Sequence, residues 1–313
     1  MQKVIFDTDP GVDDALALLY LLRHPDIDLM GVTTVFGNAP VALTTRNARF
    51  LLRSWGHDVP VHAGAAGPLT PDMPQDDFPV HIHGRNGLGD HPVPDDPKEE
   101  SESASSFLID TIRANPGQVR ILAVGRMTNL ARALQTAPDI ADLVRDVVIM
   151  GGAFRVPGNI TPAAEANIWG DPLAADIVFG AGWQVTAIPL DLTTQTFMTR
   201  PMLARLAQEG GPDMQLVADL SQGYVGFYRL SGYDGMVVHD CCASVFLTDP
   251  DLFTLTTGEV RVPWQGIALG TTMMNPSDRQ GPMDAWADRP RQAAALDGKP
   301  EAILARIAQI CTG

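Results

Sequence analysis

Val4-Ile5-Phe6-Asp7-Thr8-Asp9-Pro10-Gly11-Val12-Asp13-Asp14, running on into Ala15-Leu16-Ala17-Leu18-Leu19-Tyr20-Leu21-Leu22, decides the fold. The first three residues are a short apolar run that reads as a buried strand, and the last eight carry a helical apolar pattern. Four carboxylates crowd into the turn between them. Like charges this close repel, and a buried unpaired carboxylate is costly. One aspartate before a helix is ordinarily a cap, and a second can complement the helix dipole. Four exceed what capping absorbs. The simplest remedy is a bound divalent cation. An oxygen-only donor set with no His or Cys nearby points to Ca2+ or Mg2+ rather than zinc. Pro10 and Gly11 favour a sharp, fixed turn, as a preorganised ligand set requires.

Working outward, short apolar runs alternate with helical patterns. Strands are expected at Val4–Phe6, Leu29–Val35, Val119–Val124, Val147–Met150 and Val185–Leu190. Helices are expected at Asp13–Leu22, Val41–Trp55, Ser103–Ala114, Asn129–Gln135, Pro172–Phe179 and Ala302–Ile310. This alternation predicts an α/β fold with an open, mostly parallel, doubly wound, Rossmann-like sheet. In such sheets ligands bind beyond the carboxyl ends of the strands. Asp7 and Asp9, Asn38, Val124 and Asp191 all follow predicted strands, so they should meet at one rim. No repeat or linker forces a division, and residues 1–313 are expected to form a single domain. Residues 64–100, rich in Gly, Pro, Asp and His, suggest a lid or a disordered loop. Residues 221–238 mix aromatics with glycines and read either as a mobile flap or as a helix end and loop.

The net charge of −15 argues against nucleic acid and against an anionic membrane surface. No apolar run is long enough to span a bilayer, and no signal-like leader opens the chain. The three cysteines, Cys241, Cys242 and Cys311, give no disulfide framework, so a reducing, cytoplasmic setting is expected.

Asp7-Thr8-Asp9-Pro10-Gly11-Val12-Asp13-Asp14-Ala15 resembles the N-terminal signature of the inosine-uridine-preferring nucleoside hydrolases. The resemblance extends through Thr33-Thr34-Val35-Phe36-Gly37-Asn38, His81-Ile82-His83-Gly84, Val124-Gly125-Arg126-Met127-Thr128-Asn129-Leu130, Met150-Gly151-Gly152, Gly158-Asn159, Glu165-Ala166-Asn167, Leu190-Asp191-Leu192-Thr193 and Val238-His239-Asp240. It implies the nucleoside hydrolase fold and Ca2+-dependent hydrolysis of the N-glycosidic bond of ribonucleosides. The implied metal ligands are Asp9, Asp14, Asp240 and the backbone carbonyl of Val124, with Asp9 also the general base. Asp13 and Asn38 would lie near the ribose hydroxyls. Asn159, Glu165 and Asn167 would bind the sugar, and Met150 would pack against it. His239 would assist the leaving base. His81 and Tyr228 are further candidates for substrate contact, although Tyr224, Phe227 and Tyr233 compete with Tyr228. Asp7 would orient the ligands through hydrogen bonds. Related proteins are usually homodimers or homotetramers.

The chemistry agrees with that assignment. A ribosyl C–N bond breaks through an oxocarbenium-like state, so the enzyme must activate water, grip the sugar hydroxyls and assist the base. A metal can replace part of the duty that two carboxylates carry in other glycoside hydrolyses. Glu165, if turned towards the 5′ position, would repel a nucleotide phosphate, and no Gly-rich loop with Lys is present there. Nucleosides are therefore expected over their 5′-monophosphates.

Ala166, Arg126 and Arg85-Asn86 depart from the usual pattern and leave base preference open. Two other readings compete. One is a calcium-dependent ribose- or nucleoside-binding protein without turnover. The other is a haloacid-dehalogenase-like phosphatase, with Asp7 as nucleophile and Asp9 as acid/base on Mg2+. Its signature wants Thr or Val where this chain has Gly11, and it leaves Asp13-Asp14 and His239-Asp240 unexplained.

Overall fold

The computed structural model describes residues 1–73, 78–96, 103–277 and 284–313. Its strands in chain order are β1 Gln2–Thr8, β2 Ile27–Thr34, β3 Val61–Ala63, β4 Val119–Ala123, β5 Asp146–Met150, β6 Val185–Ile188, β7 Phe197–Thr199, β8 Gly235–Val237, β9 Phe253–Arg261, β10 Met273–Asn275 and β11 Arg291–Gly298. Nine of them form one sheet in the order β10-β9-β11-β6-β5-β4-β1-β2-β3; β7 and β8 form a separate antiparallel ribbon. From β3 to β6 and on to β11 every neighbouring pair is parallel, and β9 and β10 close the edge antiparallel.

The order decides where a ligand can sit. The chain moves outward from β1 to β3, then returns on the other side of β1 as β4. Helices leaving β1 and β4 diverge, and a crevice opens over the carboxyl ends of these two strands. Lys3–Asp7 of β1 pairs in register with Val119–Ala123 of β4, and the Val124 amide then bonds the Asp7 carbonyl at 2.8 Å. The acidic turn and Val124 thus emerge side by side.

Strand alternation divides the core into two faces. Val4 and Phe6 pack with residues of helices Val12–Arg23, Val41–Ser54, His239–Thr248 and Pro300–Thr312. Ile5 faces the opposite core, with residues of helices Ala104–Ala114, Thr128–Thr136 and Pro172–Gly180. Val4, Ile5 and Phe6 are fully buried, each worth roughly 1.5–3 kcal/mol of hydrophobic stabilisation. The expected strands and helices are all present, with ends shifted by a few residues.

Two expectations are revised. Much of 64–100 is packed rather than loose chain. Leu88 is fully buried, and the amides of Leu69 and Thr70 donate to the buried Asp171 carboxylate. The stretch also contains the short helix Val80–His83, while its Pro74 and Pro97 fall outside the described residues. Residues 221–238 are mostly a helix, Gln222–Leu230, followed by a turn into β8. Cys241, Cys242 and Cys311 are buried free thiols, as their spacing implied. Among the described residues no helix is long and apolar enough to cross a membrane.

Candidate active site

The turn after β1 is fixed by its own carboxylates. Asp14, at the third position of helix Val12–Arg23, reaches back to the Gly11 amide at 2.8 Å, so one of the four acids does act as a cap. Its other oxygen accepts from Thr8 Oγ1 at 2.5 Å. Asn38 ties the turn together: its amide donates to Asp9 Oδ2 at 2.7 Å, and its side-chain Nδ2 donates to Asp14 Oδ2 at 3.0 Å. Gly11 must lack a side chain here, because a Cβ would stand 2.5 Å from Asn38 Nδ2 and 2.6 Å from His83 Nδ1.

Asp13, Asp14 and Asp240 bring carboxylate oxygens within 4.8 Å of one another, and all three are buried. Asp240 comes from the first turn of helix His239–Thr248, which packs against helix Val12–Arg23. No Lys or Arg pairs with these three acids among the described residues. Loss of hydration pushes every one upward: Asp13 to about 7, with the Asp14 charge adding to the rise, Asp14 above its usual range, and Asp240 well above it. Repulsion from Asp13, Asp14, Asp9 and Glu165 adds to the effect at Asp240. Asp9 is also raised well above the ordinary carboxylate value by burial and by Asp14, while Arg126, whose guanidinium lies 4.3 Å over the Phe36 ring, pulls it down. Several uncompensated buried acids around one point fit a hard dication. Asp13 joins this cluster more closely than the sequence implied.

The sugar candidates are tied to the Val124 end of β4 through Asn167. Glu165 caps the short helix Ala166–Gly170, accepting from the amides of Gly152, Asn167 and Ile168 at 3.0, 2.8 and 3.1 Å. Its carboxylate therefore faces backbone amides. Burial raises it despite these bonds. Asn167 Nδ2 donates to the Val124 carbonyl at 2.7 Å and to the Met150 carbonyl at 3.2 Å, which leaves one Val124 lone pair open. Met150 is buried with its sulfur 3.6 Å from the same amide. Asn159 is exposed, and its Oδ1 accepts from the Ala166 amide at 3.0 Å.

Histidines and tyrosines form a second cluster joined by their own contacts. His239 Nδ1 lies 2.8 Å from Thr193 Oγ1, and its Nε2 lies 3.3 Å from Tyr228 Oη. Tyr224 Oη is 3.5 Å from Tyr228 Oη. Desolvation pushes His239 down to about 4 and His83 to about 3, so both imidazoles are neutral at pH 7. Among the tyrosines it is Tyr228 that meets His239, whereas Tyr233 is exposed, its ring tilted against Phe197.

Three sequence-based placements change. Asp7 is fully buried and its bonds go to Thr33 Oγ1 and Asn129 Nδ2, at 2.6 and 2.8 Å, rather than to the acidic ligands. Enclosed in this way it cannot serve as the nucleophile of the phosphatase reading. His81 is exposed, edge-on to Phe227, and does not join the cluster. Two residues on, His83 is buried against the turn: the Val12 amide donates to its Nδ1 at 3.3 Å, and its ring sits 5.4 Å from that of Tyr224. Asp191 does not converge on the acids either; it accepts the amides of Phe154 and Arg155 and pins the loop after β5. His83, Asn129 and Thr193 lie within the matching motifs, and the sequence by itself assigns them no role.

Buried acids that could hold a metal, with amide side chains and a histidine–tyrosine cluster close to the same turn, are a donor set suited to a hydrolase. Residues 4–304 match the sequence profile of the inosine-uridine preferring nucleoside hydrolases. The chain is 42% identical over 278 residues to uridine nucleosidase 1 of Arabidopsis thaliana, covering 88% of this chain and 82% of the relative. Its fold is similar to that of the plant nucleoside hydrolase PpNRh1, with TM-score 0.94, 35% identity and coverage of 100% and 99% of the two chains. It is also similar to a purine-preferring ribonucleoside hydrolase from Gardnerella vaginalis, with TM-score 0.89, 33% identity and 99% coverage of both. The chain belongs to the inosine-uridine preferring nucleoside hydrolase family, hydrolases that act on the N-glycosidic bond of nucleosides.

Proposed function

We propose that residues 1–313 act as one domain that hydrolyses ribonucleosides to free base and ribose with a bound Ca2+, uridine being the first substrate to test. The observation that carries this reading is the buried, uncompensated triad Asp13, Asp14 and Asp240 beside Asp9 and the open Val124 carbonyl lone pair. Asp9, Asp14, Asp240 and the Val124 carbonyl would hold the ion, with Asp13 at its edge. Bound Ca2+ would polarise a water and the ribose hydroxyls. Because Ca2+ lowers a water's pKa only modestly, a base is still needed, and Asp9, held in place by the Asn38 amide, would do that work. Asp13 and Asn38 would grip the ribose hydroxyls, with Asn159, Glu165 and Asn167 shaping the sugar pocket and Met150 as its apolar floor. His239 and Tyr228 would face the base. The uridine choice is supported by the name of the 42%-identical relative, whereas the Gardnerella neighbour is named for purines. The same reading places the protein in the cytoplasm, in nucleoside salvage, as a homodimer or homotetramer.

The test is a panel of purine and pyrimidine nucleosides scored for free ribose, with metal content measured on the purified protein. Stoichiometric Ca2+ and ribose release lost on chelation support the proposal. Tight nucleoside binding without ribose release would leave only the binding-protein reading.

A further inference from the structure

Arg126 lies just beyond β4, at one of the positions where this chain departs from the usual pattern of the family, and it is buried. An arginine is seldom buried without specific partners. Its guanidinium carbon lies 4.3 Å from the centre of the Phe36 ring, a cation–π distance. The same side chain runs across Gly170. A Cβ added there would stand 2.2 Å from Arg126 Nε, 2.6 Å from its Cδ and 2.9 Å from its Cζ. Gly170 has no positive φ, so it is close approach and not backbone conformation that calls for glycine here.

These two contacts join a firm element to a weak one. Phe36 is fully buried and its amide donates to the Ala65 carbonyl at 3.1 Å. Two residues on, Asn38 is tied to Asp9 and Asp14. Gly170, by contrast, closes the helix Ala166–Gly170, which at five residues is too short to hold itself together. Its place is set by ties to the segment after β4. Asn167 Nδ2 donates to the Val124 carbonyl and Thr128 Oγ1 donates to Asp171 Oδ2, both at 2.7 Å. Between these ties in sequence, Arg126 crosses Gly170 and reaches on to Phe36.

We infer that Arg126 is a positioning residue for the sugar: it clamps the helix that carries Asn167 and is capped by Glu165 onto the Phe36–Asn38 segment. The inference rests on the reading of Glu165 and Asn167 as sugar-binding residues. A planar guanidinium suits this task, because it stacks by its face while its stem packs along a backbone; a lysine ammonium cannot do both. Arg126 acts through Gly170 and Asn167. Sugar contacts that it loosens are lost from ground state and transition state alike, which raises KM and spares kcat.

Two variants test the clamp while keeping the positive charge. Arg126→Lys removes the planar stack, and Gly170→Ala pushes the arginine aside with a Cβ. The whole Ca2+-loaded protein is measured for uridine kinetics, inhibition by D-ribose, Ca2+ affinity by calorimetry and amide hydrogen exchange. In both variants KM for uridine and Ki for ribose should rise about ten-fold, with kcat within about threefold and the Ca2+ Kd within about twofold of wild type. Amides of residues 166–170 should exchange about ten-fold faster, while those of 36–38 keep their rates. An unchanged ribose Ki in either folded variant would overturn the inference. So would equal loosening of the two segments, or a Ca2+ affinity that falls as far as the ribose affinity, since Arg126 would then merely support the acidic turn. A wild type that neither cleaves nucleosides nor binds ribose would instead sink the parent reading, and the exchange rates would still decide whether Arg126 clamps the helix.

Discussion

Gly37 separates the placement of Asp9 from the stability of the fold. A Cβ added there would stand 1.8 Å from Asp9 Oδ2 and 2.7 Å from its Cγ. Real Cβ contacts essentially never fall below 3.0 Å, so in Gly37→Ala the carboxylate must retreat by about 1.2 Å. Gly37 has no positive φ, so the backbone itself accepts alanine. The carboxylate it displaces is the one held by the Asn38 amide at 2.7 Å, and moving it breaks that bond. A misplacement of about 1 Å in a reacting group costs on the order of 100-fold in rate, equivalent to roughly 2.7 kcal/mol of barrier. Overpacking costs about 1–3 kcal/mol of stability, which leaves the fold standing. The assay is kcat/KM for ribose release from uridine at saturating Ca2+, beside a denaturant midpoint. Activity within about threefold of wild type, together with Asp9 displaced in a crystal of the variant, would refute the assignment of Asp9 as the base.

Other substitutions probe the remaining parts. Gly182→Ala, at an exposed bend with nothing within 4 Å of the added Cβ, should stabilise the protein by about 0.4–1 kcal/mol with turnover unchanged, read from melting and kinetics. Glu165→Gln turns an NH2 towards one of three backbone amides and should cost about 1–3 kcal/mol of stability and raise KM for uridine. Burial holds Asp7 and Asp13 near 7 in the metal-free protein against an ordinary 3.8. A pKa raised by folding gives stability that is full below the unfolded value and lost as pH rises through the folded one. The chelated protein should therefore lose melting temperature between about pH 4 and pH 7 relative to the Ca2+-loaded protein; parallel curves would count against the metal site. Uridine 5′-monophosphate should be cleaved at least about ten-fold more slowly than uridine, because the acidic pocket repels its phosphate.

Much of this was legible in the sequence because the decisive signals are local. Val4-Ile5-Phe6 marks β1, the Asp-Pro-Gly turn marks the rim, and strand–helix alternation implies a crossover sheet. The antiparallel edge was not legible: Phe253–Arg261 carries Thr and Glu among its apolar residues, since much of it is open to solvent. Helix Gln222–Leu230 was obscured by Gly223 and Gly226, which lower helix propensity and are tolerated because nothing packs on them. His81 and His83 flank one isoleucine, and the direction of a four-residue helix, which no pattern in so short a segment reveals, turns His83 inward and His81 out. The role of Asn129 is hidden from the sequence for another reason. Its side chain donates to both Asp7 and the Thr34 carbonyl and accepts from the Ala65 amide, contacts that exist only once β1, β2 and β4 lie side by side.

The same geometry links the cost of the site to its use. Asp13, Asp14 and Asp240 are pressed together by two helices whose other residues fill the core, so the acids cannot spread apart without unpacking Leu16, Ala17, Cys241 and their neighbours. The free energy stored in that repulsion would be released by a bound dication and would appear as affinity for the ion. Stability and metal capture must then trade against each other. Asp240→Asn should melt higher than the wild type when both are chelated, and lower when both are measured in millimolar Ca2+. If the variant melted higher under both conditions, the acids would be a burden that no ion relieves, and the repulsion at the turn would need a different explanation.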